Sequence, residues 1–103
     1  MRRRLCRVSD LDGDRLQTED PVTGDPILVL RDRSGVHVVD ALCPHQYAPL
    51  LGGELRDGVL TCPLHGWQFD VATGKGVGMP VQLRRCDALV DDGWIWQVSD
   101  IDI

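Results

Sequence analysis

A chain of 103 residues has room for a single domain, expected to run 1–103, with a core that buries only ~60–70% of the surface exposed on unfolding. Eleven Lys and Arg against sixteen Asp and Glu give a net charge of −5. That balance argues against nucleic-acid binding, which draws its affinity from neutralised phosphates, and suits docking on a basic surface of a protein partner.

The opening Met1-Arg2-Arg3-Arg4 runs into Leu5-Cys6-Arg7-Val8-Ser9-Asp10 without the apolar stretch of a signal peptide. No segment approaches the ~20 apolar residues of a membrane span, so the expectation is a cytoplasmic monomer without an anchor, its arginines on a solvated strand edge or terminus. Short runs rich in β-branched residues follow, punctuated by turn residues. They predict strands at Leu5–Val8, Arg15–Glu19, Ile27–Arg31, Val36–Asp40, Val59–Cys62, Gln68–Asp70, Cys86–Val90 and Trp94–Val98. Asp12-Gly13, Gly24-Asp25-Pro26, Asp57-Gly58 and Thr73-Gly74 read as turns, and Ser34-Gly35 and Asp92-Gly93 as hairpin turns. The pattern predicts an all-β antiparallel sandwich or small barrel. Two longer irregular stretches remain, at about 42–56 and 62–81. Loops of that length in a compact domain are usually functional or disordered.

Each long loop carries a cysteine–histidine pair: Cys43-Pro44-His45 in the first, Cys62-Pro63-Leu64-His65 in the second. Two thiolates and two imidazoles suit zinc or a mixed-ligand iron–sulfur centre. A Cys2His2 zinc finger places both cysteines together and both histidines on a helix. Here they are interleaved on loops of a β-rich chain, which favours iron–sulfur and leaves a structural zinc module as the alternative. Proline after each cysteine removes a donor and stiffens the turn. Cys6 and Cys86 lie in apolar-flanked segments and are expected to be buried thiols behaving as small hydrophobes.

Cys43-Pro44-His45-Gln46 and Cys62-Pro63-Leu64-His65-Gly66-Trp67-Gln68-Phe69-Asp70 resemble the paired boxes of the Rieske family. The resemblance runs from Arg4-Leu5-Cys6-Arg7-Val8 through Trp94-Ile95-Trp96-Gln97-Val98. It implies an antiparallel β-sandwich with a small cluster-binding subdomain formed by two loops, and one [2Fe–2S] cluster per chain. Cys43 and Cys62 would hold the inner iron, His45 and His65 the outer. Two ferric ions, two sulfides and two thiolates sum to zero charge, so neutral imidazoles make an electron easier to accept than four thiolates would.

High-potential members brace the boxes with a disulfide at the positions of Ala48 and Leu64, and donate hydroxyl hydrogen bonds from the positions of Trp67 and Phe69. This chain has neither, which places its potential near the low end of the Rieske range, about −150 mV. Gln46 after the first histidine resembles the ferredoxins of toluene and related alkene or aromatic monooxygenases. The implied partners are an NAD(P)H-dependent flavin reductase and a terminal di-iron oxygenase. A ring-hydroxylating dioxygenase ferredoxin is the alternative, and a small subunit of a nitrite reductase-like complex a more distant one.

Beyond the four ligand positions, His37 lies in Val36-His37-Val38-Val39 and reads as a half-exposed strand residue, leaving no second metal site for substrate oxidation. The chain therefore reads as a carrier and not an enzyme. Trp67, Tyr47 and Pro49 are candidates for partner docking. Trp94 and Trp96 share a strand face, and their area predicts core packing.

Overall fold

The computed structural model describes residues 2–44 and 47–98; the predicted ligand His45 lies outside the described residues. Among those residues the secondary structure is nine strands and a single 3-10 turn, Val8–Asp10. Six strands form one sheet in the spatial order β1 (Arg2–Arg7), β9 (Trp94–Val98), β8 (Arg85–Asp91), β4 (Gly35–Asp40), β3 (Pro26–Asp32), β2 (Arg15–Glu19). A smaller sheet contains β5 (Glu54–Arg56), β6 (Val59–Thr61) and β7 (Gln68–Asp70). Every strand pair is antiparallel.

The centre of the fold is the uninterrupted apolar run Ile27-Leu28-Val29-Leu30 in β3. Alternate residues point to opposite faces, and here both faces are buried. Leu28 and Leu30 join Val39, Leu50, Leu60 and Phe69 in one cluster beneath the small sheet and the long loops. Ile27 and Val29 join Cys6, Val38 and Ile95 in a second cluster. Each such side chain contributes about 1.5–3 kcal/mol of burial. Central strands buried on both faces explain why β3 lacks the alternation of a one-sided strand.

Turn chemistry sets the hairpins. Asp57-Gly58 and Asp92-Gly93 both have positive φ at both residues (52° and 78°, 54° and 78°), the backbone that lets a two-residue turn follow strand twist. The first of these joins β6 to β5, a strand absent from the sequence-based expectation, which ran the first long loop through Arg56. Between β3 and β4 the turn is Arg33-Ser34, because Gly35 already pairs with Asp32.

Strand β1 begins at Arg2, earlier than expected, and Val8 opens the 3-10 turn instead of closing the strand. The arginines do lie on an edge strand. Trp94 and Trp96, expected in the core, are only partly buried, whereas the alternate residues Ile95 and Gln97 are buried. The tryptophans meet cations instead. The Arg2 guanidinium lies 4.1 Å from the Trp96 centroid, and Arg4 lies 4.6 Å from Trp94 and 5.3 Å from Trp96. Arg7 lies 4.8 Å from Trp94. The register slips between Arg4 and Cys6, so Leu5 acts as a bulge. That extra residue turns Cys6 inward and keeps Arg7 with Arg2 and Arg4. Each contact contributes about 0.5–1 kcal/mol at an exposed site, and together they fasten the edge strand.

Candidate metal centre

The first ligand loop leaves β4 through Ala41, whose amide donates to Pro26 O at 3.1 Å. Its two arms pair at Leu42 and Pro49, and Leu50 N donates back to Ala41 O at 2.8 Å. At the tip, Cys43 N donates to Ala48 O at 2.8 Å and Tyr47 N donates to Cys43 O at 2.7 Å. The second loop joins β6 to β7. There Cys62 N donates to Trp67 O at 2.7 Å and Gly66 N donates to Cys62 O at 3.0 Å.

The two tips therefore share one backbone frame. In each, the cysteine amide reaches the carbonyl five residues on, and its own carbonyl accepts from the amide four residues on. The residue at that fourth step has positive φ in both, 56° at Tyr47 and 74° at Gly66. Two independent segments adopt the same knuckle around a cysteine that proline follows.

Both cysteines face inward. Cys43 is 2% exposed and Cys62 1%, and both belong to the cluster of Leu50, Leu60 and Phe69. His65 is exposed, so the second loop presents a thiol on the protein side and an imidazole on the solvent side. This donor set fits a [2Fe–2S] group with thiolates on a buried iron and imidazole on an outer one. Among the described residues, which do not include His45, no three of His, Cys, Asp and Glu gather around a single ion position.

Trp67 is half-buried against the apolar cluster under the loops. Tyr47 is 74% exposed, and Pro49 is also exposed. Leu51, Leu64 and Val77, in or flanking the same loops, are exposed too. At the two positions where a brace could have stood, Ala48 is buried and Leu64 points to solvent.

Two arginines at this end of the molecule carried no motif signal. Arg15 Nη1 donates to Leu51 O at 2.8 Å and to Gly53 O at 2.5 Å, tying the exit of the first loop to β2. Its Nε donates to Asp14 Oδ1 at 2.8 Å. Arg84 joins Asp40 and Asp25 across the base of the first loop. Only the folded chain reveals these links, because each spans more than thirty positions.

Cys6 is buried as expected; burial, and then Asp10, push its thiol up. Cys86 departs from the expectation of a buried hydrophobe. It is half-buried, accepts from Gln97 Nε2 at 3.3 Å, and lies 4.0 Å from Asp20 Oδ2. His37 is partly buried, as a strand residue. Its Nε2 lies 2.8 Å from Ser34 Oγ and 3.1 Å from Asp32 Oδ1, while Ser34 Oγ donates to Asp32 Oδ1 at 2.6 Å. Both partners share one ring nitrogen, so the imidazole cannot relay a proton from the hydroxyl to the carboxylate as a catalytic triad does. The trio clasps the β3–β4 turn.

An antiparallel all-β fold with two matched cysteine knuckles, thiols inward and an imidazole outward, is the architecture of a small iron–sulfur domain. The chain belongs to the Rieske [2Fe-2S] domain family, whose model matches residues 2–89. It is 38% identical, over 71% of its own length and 60% of the relative's, to the ferredoxin component of the alkene monooxygenase system of Xanthobacter autotrophicus (strain ATCC BAA-1158 / Py2). The match thus spans less than two thirds of that relative. Among solved structures, the ferredoxin of carbazole 1,9a-dioxygenase from Nocardioides aromaticivorans IC177 superposes with a TM-score of 0.81 at 30% identity, covering 94% of this chain and 96% of that one. A chain of the complex of reduced oxygenase and oxidized ferredoxin in carbazole 1,9a-dioxygenase gives 0.80 at 27% identity, over 99% and 96%. Among the described residues no helix is long and apolar enough to cross a membrane.

Proposed function

We propose that the chain is a one-domain Rieske ferredoxin. It takes single electrons from an NAD(P)H-dependent flavin reductase and passes them to a terminal oxygenase, preferably a di-iron alkene or aromatic monooxygenase. Cys43 and Cys62 hold the inner iron of the cluster, and His45 and His65 hold the outer. The bound [2Fe–2S] group supplies reversible one-electron chemistry near the low end of the Rieske range, about −150 mV. The matched backbone knuckles at Cys43 and Cys62 carry this reading. They bring two thiols into one buried cluster of side chains, with His65 left at the surface.

The polypeptide does three things in this role. The apolar cluster around Leu50, Leu60 and Phe69 keeps water from the thiolate side, which lowers the local dielectric constant and raises the cost of surplus charge. The exposed imidazole side gives the electron a short path out. Tyr47, Pro49 and Trp67 form a docking face of rigid side chains, the type that anchors protein partners. The organic substrate meets the oxygenase and never this chain.

A second reading, the ferredoxin of a ring-hydroxylating dioxygenase, is favoured by the near-complete superposition on dioxygenase ferredoxins. Low-temperature EPR of the dithionite-reduced holoprotein tests the cluster. A rhombic signal with average g below that of all-cysteine clusters is expected, whereas stoichiometric zinc and EPR silence would overturn the reading. Reconstitution with flavin reductase and either a di-iron or a Rieske oxygenase then separates the partners. Turnover with the dioxygenase alone would reject the di-iron preference.

A further inference from the structure

Beside the first ligand loop lies a cleft of about 410 Å³. Leu42, Pro44 and Tyr47 give it an apolar and aromatic lining, and Asp25, Asp40 and Arg84 give it a charged one. The charges do not balance. Arg84 Nε donates to Asp40 Oδ1 at 3.2 Å, and its Nη2 donates to Asp25 Oδ2 at 3.4 Å. The same nitrogen lies 4.0 Å from Asp20 Oδ2. One guanidinium thus serves three carboxylates. Asp20 is buried and satisfied from within, accepting from the amides of Val22 and Thr23 and from Gln97 Nε2. Asp25 and Asp40 border the cleft, and the Asp25 side chain is 59% exposed.

A cleft with surplus negative charge beside an apolar lining selects a cation that carries its own hydrocarbon. A bare metal ion would gain nothing from Leu42 and Pro44. A lysine ammonium is compact and strongly hydrated, whereas arginine combines a long stem with a flat, weakly hydrated head that stacks on aromatic and proline faces. Tyr47 supplies such a face with most of its surface in solvent. Pro44 and Tyr47 also flank the ligand segment in sequence, so a side chain seated between them would bring its own backbone onto the first loop.

We infer that this cleft receives an arginine side chain of the oxygenase that accepts the electron. The inference rests on the carrier function proposed above and names the chemistry of its docking contact. The seated guanidinium reaches Asp25 and Asp40 while its stem lies along Leu42 and Pro44. Such a contact fixes orientation and speeds encounter more than it adds affinity.

Two measurements on the holoprotein test it. In the first, n-butylguanidinium is titrated into the oxidised, 15N-labelled protein. Saturable shifts are expected at the amides of Asp25, Asp40 and Arg84, with weaker binding of n-butylammonium and none of n-butylurea. Asp25→Asn should weaken the guanidinium by ~3–5-fold, as one partly exposed ion pair allows. Equal affinity in Asp25→Asn, or no saturable shifts, would overturn the inference. In the second, the reduced protein transfers its electron to the oxygenase that turns over in the reconstitution. Asp25→Asn should slow the second-order rate several-fold at low salt, leaving the EPR signal and the rate at saturating oxygenase unchanged. If wild type transfers and Asp25→Asn matches it, the cleft has no such role although the carrier function stands. If wild type reduces no oxygenase, both fail.

Discussion

The two ligand loops share a hydrogen-bond frame and differ in the residue that closes it. Gly66 closes the second loop at φ 74°, with no atom within 4 Å of where a Cβ would stand. In the first, Tyr47 holds φ 56°, in the left-handed region where an L side chain costs about 1–2 kcal/mol. Glycine would satisfy the frame at both places. The first loop instead bears that cost and projects an exposed ring beside the ligand segment. Under the proposed function, what is common to the loops holds the cluster, and what differs between them meets a partner.

The largest effect should fall on what the loops have in common. Cys43→Ser and Cys62→Ser should each abolish the reduced-state EPR signal completely and lower the melting temperature, because metal ligation contributes directly to folding free energy. Cys86→Ser, packed against the other apolar cluster, should retain the signal in full. A native signal in one of the two ligand variants would show that the loops are not equivalent partners.

A smaller effect should appear at the closing residues, with opposite signs. Gly66→Ala meets no steric obstacle, so its cost is the backbone conformation alone, about 1 kcal/mol. Tyr47→Gly should stabilise the holoprotein by less, about 0.5 kcal/mol, because glycine also frees the unfolded chain. Denaturant titration of both variants measures the pair. Tyr47→Gly should also slow electron transfer to the oxygenase. A variant that becomes more stable and a poorer donor would separate the frame from the docking role; unchanged transfer would remove Tyr47 from that role.

These loops were legible in the sequence because metal ligation and turn geometry are short-range. Cys-Pro-His and Cys-Pro-Leu-His declare themselves within four residues, and β2, β7 and β9 were read at their observed bounds. The failures involved long-range contacts or an element too short to show a period. Glu54–Arg56 is a three-residue strand, too short and polar to show a period, and only the Asp57-Gly58 turn hinted at a partner. Trp94 and Trp96 were assigned to the core on size. Area alone cannot reveal that Arg2, Arg4 and Arg7 wait across the ladder, and the bulge at Leu5 that aligns them leaves no mark in composition. Arg15 and Arg84 carry no signal in the sequence, since their roles depend on carbonyls and carboxylates far away in the chain. Those two arginines also make the supports of the loops unlike, which matters in acid.

Two carboxylates held below the ordinary range underlie the first loop. Burial raises the Asp20 carboxyl, but the amides of Val22 and Thr23, Gln97 and the charge of Arg84 together hold it below the ordinary range. Asp14 is also held low, mainly by its hydrogen bond from Arg15. Asp20 N donates to Asp25 O at 2.8 Å, shaping the turn that leads into Pro26, and Pro26 O anchors Ala41 at the loop's entrance. Asp14 orients Arg15, which grips Leu51 and Gly53 at the exit. A carboxyl with a lowered folded pKa contributes stability in full above its unfolded pKa of ~3.9, and that stability is lost as pH falls through the folded value. The second loop hangs on the β6–β7 ladder, where the amides of Cys62 and Gly66 donate to Trp67 O and Cys62 O. Asp32 is held low as well, against the effect of burial, by Ser34 and His37, but it sits at the β3–β4 turn and supports neither loop. Acidification below about pH 4 should therefore raise hydrogen exchange in residues 41–53 before residues 62–67, by a few-fold, with Asp20→Asn reducing the difference. Exchange rising equally in both loops would mean that acid acts on the fold as a whole, and that the first loop has no separate electrostatic support.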